Sequence, residues 1–398
     1  MDLLVLDTIH GGDLLADELA LRGHRVTAVD VYRGTKRPPD PGDFDRVIAP
    51  VHLDPSHPLV SADGDRLVTH HEAAGYCLRH IRPRLLVEVT GARGKTTTAF
   101  AIAETMEGPG VLHTSAGTFL YPQRRLLWRR SITPASVLPA ARAAAVLGGW
   151  CVAEVSIGVT GAGDLAVLTS GDDYPCAAGA RSALACKIAS AARAPRLLVA
   201  DGLSIDHPGL VLAGELAPGD GEAPAGRRGA VGNPLTALPA YRNAVQIASA
   251  AAGLLGLDPL RLVTMGPVPG RLEARREGGR TVVDDANSGT TRATACEAAS
   301  YARFLSPGEP LALVVGEEHR AVCEGFPPGD VAEAVASIDP AAAVIVGPPS
   351  LRAQARAALA SRGWHGQLLE AGTLDGGRAT ALGAVPSGPV VLAVKTWR

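Results

Sequence analysis

Residues Thr90-Gly91-Ala92-Arg93-Gly94-Lys95-Thr96-Thr97 set two glycines, a lysine and several hydroxyls at a spacing that suits a polyphosphate. The apolar run Leu85 to Val89 before them reads as a buried strand, and Ala99 to Met106 after them as a helix. Such a strand-to-helix turn leaves backbone N–H groups unpaired at a positive helix end, and glycine lets the backbone approach an anion closely. Lys95 would then reach the β- and γ-phosphates of ATP, and the Thr96 hydroxyl would help to hold Mg2+. The loop is shortened, because Val89 stands where the longer consensus has its first glycine. Glu154, near the end of the apolar stretch Trp150 to Ser156, is either a ligand to that Mg2+ or simply an acid at a strand end. Arg124, Arg125, Arg129 and Arg130, interleaved with Leu126, Leu127 and Trp128, read either as a surface for a flat, polyanionic ligand or as a solvated β-hairpin.

The elements that would carry these residues alternate strand and helix along the whole chain. Leu3 to Asp7 is a strand, Ile9-His10-Gly11-Gly12 a turn, Asp13 to Arg22 a helix and Arg25 to Val29 a second strand ending at Asp30. Asp30 invites a dinucleotide reading, but the Gly-x-Gly-x-x-Gly pattern is missing, so this βαβ opening reads as a small Rossmann-like substrate platform. Pro38, Pro39, Pro41 and Gly42 interrupt it, and Arg46 to Val51 is a further strand. His70 and His71 open a short helix; being adjacent they point about 100° apart and make a poor metal pair. A helix from about Ala178 carries Lys187, the Glu222 to Gly229 stretch is a Gly/Pro/Ala-rich excursion, and Tyr241 to Leu254 is a strongly apolar helix. Gly266-Pro267-Val268-Pro269-Gly270 makes a stiff hinge, after which alternation resumes and ends on a strand at Val390 to Val394. The expected organisation is three α/β domains: 1–82 Rossmann-like, 83–266 with the phosphate loop, and 267–398 again Rossmann-like.

With 398 residues and a formal net charge of −2, the chain has room for several cores and lacks the basic run that nucleic-acid binding would need. No apolar stretch approaches membrane-spanning length, and Asp2 and Asp7 stand where a signal peptide needs bases, which predicts a soluble cytoplasmic protein. The 6 cysteines are scattered without a Cys-x-x-Cys pair and read as reduced core residues.

Five separated motifs resemble those of the Mur ligases, the ATP-dependent ligases of peptidoglycan precursors that are related to folylpolyglutamate synthetase. They are the loop Thr90 to Thr97, Glu154-Val155-Ser156, Arg242-Asn243-Ala244-Val245-Gln246, Pro269-Gly270-Arg271-Leu272-Glu273 and Val283-Asp284-Asp285-Ala286-Asn287. The resemblance implies ATP and Mg2+ as cofactors, with Thr90, Gly91, Ala92, Arg93, Gly94, Lys95, Thr96 and Thr97 around the phosphates. It also implies Thr96 and Glu154 on Mg2+, Asn243 and Gln246 toward adenine, and Arg271, Asp284 and Asn287 toward phosphate and ribose. Asp173 stands where the family has a second metal-binding histidine, and Lys187 falls near its carbamylated lysine, within the partial match Ala185-Cys186-Lys187. On this reading Lys95, Glu154, Arg271 and Lys187 carry the chemistry, and closure of the third domain brings Arg271 to the nucleotide.

A narrower resemblance, to the coenzyme F430 synthetase family of methanogenic archaea, lies in Leu4 to Gly12, Ser131 to Ser136, Asn287 to Thr290 and the terminal Lys395-Thr396-Trp397-Arg398. It implies a nickel-containing seco-tetrapyrrole as substrate, a seco-F430 acid whose propionate is phosphorylated and then attacked by a carbon of the macrocycle. His10, Gly11, Gly12, Arg124, Arg125, Arg129, Arg130 and Thr133 would then contact that substrate, which is flat, apolar and studded with carboxylates. An amide-forming Mur-like ligase, and a P-loop ATPase switch that ligates nothing, are the alternatives.

Overall fold

The computed structural model describes residues 1–33, 39–61, 64–203, 205–216, 232–318 and 325–396. Pro38, the Glu222 to Gly229 excursion, Cys323, Trp397 and Arg398 lie outside these residues. The chain divides into two compact units, Met1–Met265 and Gly266–Arg398. The boundary expected near residue 82 falls inside the first unit, between its two main sheets.

The first of those sheets is parallel: β1 (Asp2–Leu6), β2 (Arg25–Val29), β3 (Arg46–Ala49) and β4 (Leu67–Thr69), in the order β2-β1-β3-β4. The second contains β5 (Leu85–Thr90), β6 (Gly110–Thr114), β7 (Gly117–Tyr121), β8 (Arg125–Trp128), β9 (Trp150–Glu154) and β10 (Leu165–Leu168). A separate pair, β11 (Pro175–Cys176) and β12 (Arg181–Ser182), precedes its last members β13 (Leu197–Val199) and β14 (Leu210–Leu212). The order β14-β13-β10-β5-β9-β6-β7-β8 puts the largely buried, mainly apolar strands β5 and β9 side by side in the middle. Runs without polar alternation are what a parallel sheet covered on both faces demands. One apolar core runs from Leu3, Val5, Leu15 and Leu19 to Leu86, Val111, Ala141 and Cys151, so both sheets share it.

In the second unit, β15 (Glu273–Glu277), β16 (Arg280–Asp284), β17 (Ala312–Glu317), β18 (Ala342–Val346), β19 (Gln367–Ala371) and β20 (Val390–Lys395) form one sheet. Its order is β15-β16-β20-β17-β18-β19, parallel except for the β15–β16 hairpin. The alternation pattern misses both edge strands, β15 and β19. Their half-exposed faces carry Glu273, Arg275, Glu277, Gln367 and Glu370 in place of an apolar run. It also misses the helix Leu374–Ala384, which contains the poor helix formers Gly376, Gly377 and Gly383.

One expected helix starts later than its sequence indicates. Residues from Ala178 are not helical: Ala177 and Ala178 take left-handed φ values of 54° and 55° in the tight β11–β12 hairpin. The helix runs Ala183–Ala191 and begins where the Ser182 hydroxyl accepts the Ala185 N–H at 3.0 Å. Alanine richness hid this, since alanine supports a helix without marking its start.

Candidate active site

The phosphate loop leaves β5 at Thr90 and enters the helix Lys95–Thr105, with Gly94 at the N-cap in a left-handed conformation and no side chain capping the helix. The first-turn N–H groups are therefore available to an anion. Thr169 and Ser170, which the sequence did not single out, fix the loop from the end of β10. The Thr169 hydroxyl donates to the carbonyl oxygens of Thr90 (3.2 Å) and Arg93 (2.5 Å), and Ser170 Oγ accepts the N–H groups of Ala92 (3.1 Å) and Arg93 (3.2 Å). The Thr90 hydroxyl accepts the Gly158 N–H at 3.2 Å, tying the loop to the segment after β9. Gly91 has φ 149°, and a Cβ there would lie 2.1 Å from Thr169 Oγ1. Gly91→Val is accordingly expected to displace the Thr169 clamp and weaken nucleotide binding by ~100-fold or more, the scale on which small misplacements act. Calorimetry with ATP checks this; unaltered affinity would show that the loop tolerates the side chain.

Because β5 and β9 are neighbours, Glu154 emerges beside the loop. It is 2% exposed; its Oε2 accepts the Thr96 hydroxyl at 2.9 Å and the Ser115 N–H at 3.0 Å, and its Oε1 lies 4.0 Å from Lys95 Nζ. Thr96 Oγ1 is also 3.1 Å from Ser115 Oγ. Lys95, Thr96 and Glu154 thus converge as a cation beside a buried pair of hard oxygen donors, a donor set that fits Mg2+. Ser115 is a further member that no motif flagged. Beneath them Glu88, a carboxylate within an apolar strand, accepts the N–H groups of Thr160 (2.8 Å) and Gly163 (3.1 Å) and shapes the loop after β9. Burial pushes its carboxyl upward.

The other residues of the first unit fall in separate places. The helix Pro239–Leu255 packs against Lys95–Thr105 and carries an exposed Asn243, while Gln246 Nε2 donates to Asp201 Oδ2 at 3.0 Å. Asp173 accepts the Ser182 hydroxyl (2.7 Å) and the Leu184 N–H (2.8 Å), and no hydrogen bond among the described residues links it to Thr96 or Glu154. Lys187 is fully buried, with its ammonium 4.4 Å from the centre of the Tyr174 ring. Arg124, Arg125, Arg129 and Arg130 are exposed around β8, an edge of the sheet. Arg124 pairs with Glu104, and Arg129 donates to the Ala116 carbonyl at 3.0 Å.

The turn after β1 meets the segment before the helix Val137–Val146. A Cβ on Gly11 (φ 93°) would lie 2.7 Å from Thr133 Oγ1, and one on Gly12 2.3 Å from the Asp7 carbonyl oxygen, so both positions need glycine. Ser156 N–H donates to Ile132 O at 2.8 Å, so His10, Gly11, Gly12 and Thr133 lie close to the end of β9. Asp7, missed by the sequence reading, is wholly buried; burial would raise its carboxyl, but hydrogen bonds from His10 and His52 outweigh this and hold it well below the usual range. His70 and His71 donate in different directions, to Leu6 O and Ser156 O, both at 2.9 Å.

Burial lowers His70, His71 and His113 to about 4 from an ordinary 6.5. Below pH 6.5 the unfolded chain takes up protons that the fold refuses, so their stabilisation is complete above that pH and is lost as pH falls toward about 4. The loss amounts to at most about 3 kcal/mol for each histidine. Glu88 works the other way, stabilising at low pH and losing that contribution as pH rises. The expected result is a Tm that drops steadily on acidification through this window; a flat or rising Tm would contradict it.

Within the second unit, the Gly270-Arg271 turn, the end of β16 and the end of β20 come together. Asn287 Nδ2 donates to Gly270 O and Asp285 O, both at 2.9 Å, and its backbone N–H donates to Val394 O at 3.1 Å. Asp284 accepts Arg275 Nη1 at 3.0 Å, and Arg271 Nη1 donates to Gly270 O at 3.3 Å. Asp285 is 4% exposed and burial pushes its carboxyl up to about 7, with the Arg271 charge opposing.

This fold has solved counterparts. MurF from Acinetobacter baumannii superposes with a TM-score of 0.58 at 12% identity, over 91% of this chain and 86% of that one. The bifunctional folylpolyglutamate synthase/dihydrofolate synthase of Yersinia pestis does so with 0.56 at 13% identity, over 83% and 92%. The fold is shared with these Mur-type and folylpolyglutamate-type ligases. Residues 274–396 match the family model for the C-terminal domain of coenzyme F430 synthetase CfbE. Coenzyme F(430) synthetase of Methanosarcina acetivorans is 33% identical over 408 aligned positions, spanning 83% of this chain and 86% of that protein. The chain belongs to the coenzyme F430 synthetase family.

Proposed function

We propose that this ligase activates a side-chain carboxylate of a nickel seco-tetrapyrrole as an acyl phosphate and closes a carbocycle by attack of a macrocycle carbon, releasing ADP and phosphate in the cytoplasm. The 33% identity to a coenzyme F(430) synthetase across most of both chains is the observation that carries this reading. A carboxylate resists nucleophiles because its negative charge would grow in the transition state; phosphorylation supplies a leaving group, and that transfer asks mainly for positioning and charge neutralisation. Lys95 and the uncapped helix start neutralise the transferred phosphoryl group, while Gly91 and Gly94 let the backbone close on it. Thr96 and Glu154 would hold Mg2+, which when bound would supply positive charge to screen the nucleotide phosphates. Asp173 is the candidate for a second ion and Lys187 for carbamylation.

Asn243 and Gln246 are assigned to adenine, Asp284 and Asn287 to ribose, and Arg271 to the γ-phosphate. His10, Gly11, Gly12 and Thr133 line the substrate side nearest Glu154, and the exposed Arg124, Arg125, Arg129 and Arg130 are candidates for substrate carboxylates. Arg271→Ala is expected to retain ATP binding but to lower the rate by ~100-fold or more, as loss of a charge-stabilising group does; an unchanged rate would remove Arg271 from the chemistry. The reading itself is tested by ADP release against a panel of acids. Release is expected with nickel seco-tetrapyrrole acids and not with muramyl or folyl substrates, and the reverse preference would refute it.

A further inference from the structure

Asp7, His10 and His52 come from three places, the end of β1, the turn that follows it and the loop after β3, yet their side chains meet. Asp7 sits in a left-handed conformation (φ 70°), and its Oδ1 accepts the N–H groups of Ile9 (3.1 Å) and His10 (3.0 Å), which locks the carboxylate in place. Its Oδ2 is left facing two imidazoles, 2.7 Å from His10 Nδ1 and 3.4 Å from His52 Nε2. The three ligand-type atoms all lie within 4.8 Å of one another. Neighbouring donors around a tetrahedral ion with ligand distances of ~2.0–2.1 Å stand about 3.4 Å apart, so the cluster needs little rearrangement to take an ion.

Two further observations point to a ligand. His52 Nε2 is buried and reaches Asp7 Oδ2 only at a long 3.4 Å. His10 and His52, with rings 5.0 Å apart and nearly perpendicular at 86°, also line a small, partly open pocket of about 20 Å³ shared with Thr133 and Ser156. That volume is enough for about one water molecule. His70 and His71 border the same cavity with their Nε2 atoms committed to backbone carbonyls.

We propose that Asp7, His10 and His52 bind a divalent transition-metal ion of the Zn2+ class, with a cavity water as the fourth ligand. Two imidazoles and one carboxylate form the donor set that such ions prefer, whereas Mg2+ favours oxygen ligands and the Glu154 site. His10 is shared with the proposed substrate side, but none of the three donors belongs to the nucleotide machinery, so metal binding can be measured apart from ligase turnover.

The test uses the full chain stripped with a chelator, dialysed against Zn2+ or Co2+ in excess Mg2+ and analysed for bound metal. One equivalent is expected, resistant to Mg2+, and the affinity should drop in His10→Ala and His52→Ala by more than the ~10–100-fold that losing an outer-shell partner costs. Circular dichroism of the metal-free proteins checks that the variants fold. The unmodified Co2+ protein supplies an independent reading, with a visible ligand-field band and no thiolate charge-transfer band. Absence of stoichiometric binding, survival of binding in both variants, or a thiolate band would each overturn the proposal. Lys95→Ala should bind the ion normally, so failure of the ligase reading and failure of this one are separately visible.

Discussion

Lys95→Ala is expected to abolish ATP-dependent product formation, lowering kcat/KM by ~1,000-fold or more, while leaving the fold intact. The lysine stands at the first position of the helix Lys95–Thr105 with its side chain 18% exposed and its ammonium 3.4 Å from Ala92 O and 4.0 Å from Glu154 Oε1. Its ammonium faces the polar loop and Glu154, so truncation chiefly removes positive charge from the phosphate position. Circular dichroism and Tm should match the parent protein. Turnover close to that of the parent would mean that the loop does not bind phosphate productively, and the nucleotide assignment would fall with it.

Glu154→Gln is expected to have the second-largest effect. Glutamine keeps the shape and can still accept from Thr96 and Ser115, but it removes the charge that faces Lys95 and that a divalent ion would need. Activity should fall by ~100-fold or more, and raising Mg2+ should restore part of it, because the lost term is metal affinity more than geometry. Thr96→Val, which deletes a single neutral donor, should do less. A Glu154→Gln enzyme with unaltered Mg2+ dependence would place the ion elsewhere.

The sequence announces the phosphate loop because glycine, lysine and threonine are needed there for reasons of backbone conformation and charge that no packing arrangement can replace. Glu154 is legible for a related reason, as a carboxylate ending an apolar strand. Thr169, Ser170 and Ser115 are not, since a serine or threonine after a strand is common and its role depends on which strands are neighbours; the order β10-β5-β9-β6 brings those strand ends beside the loop. Asp7 and His52 escape notice for the same reason, lying in different segments until β1 pairs with β3. Edge strands β15 and β19 are missed because exposure relaxes their apolar pattern. The arginines around β8 illustrate the opposite limit: their composition is conspicuous, but Arg124 and Arg129 are engaged by Glu104 and the Ala116 carbonyl, partners that spacing alone does not reveal.

The most direct measurement is the mass of the small molecule before and after reaction with ATP and Mg2+, using a nickel seco-tetrapyrrole acid, together with the ADP formed. Ring closure predicts a product lighter by one water, with one ADP released per product and no atoms gained from an amine. A product heavier by an added amine, or ADP released from an unchanged tetrapyrrole, would contradict it.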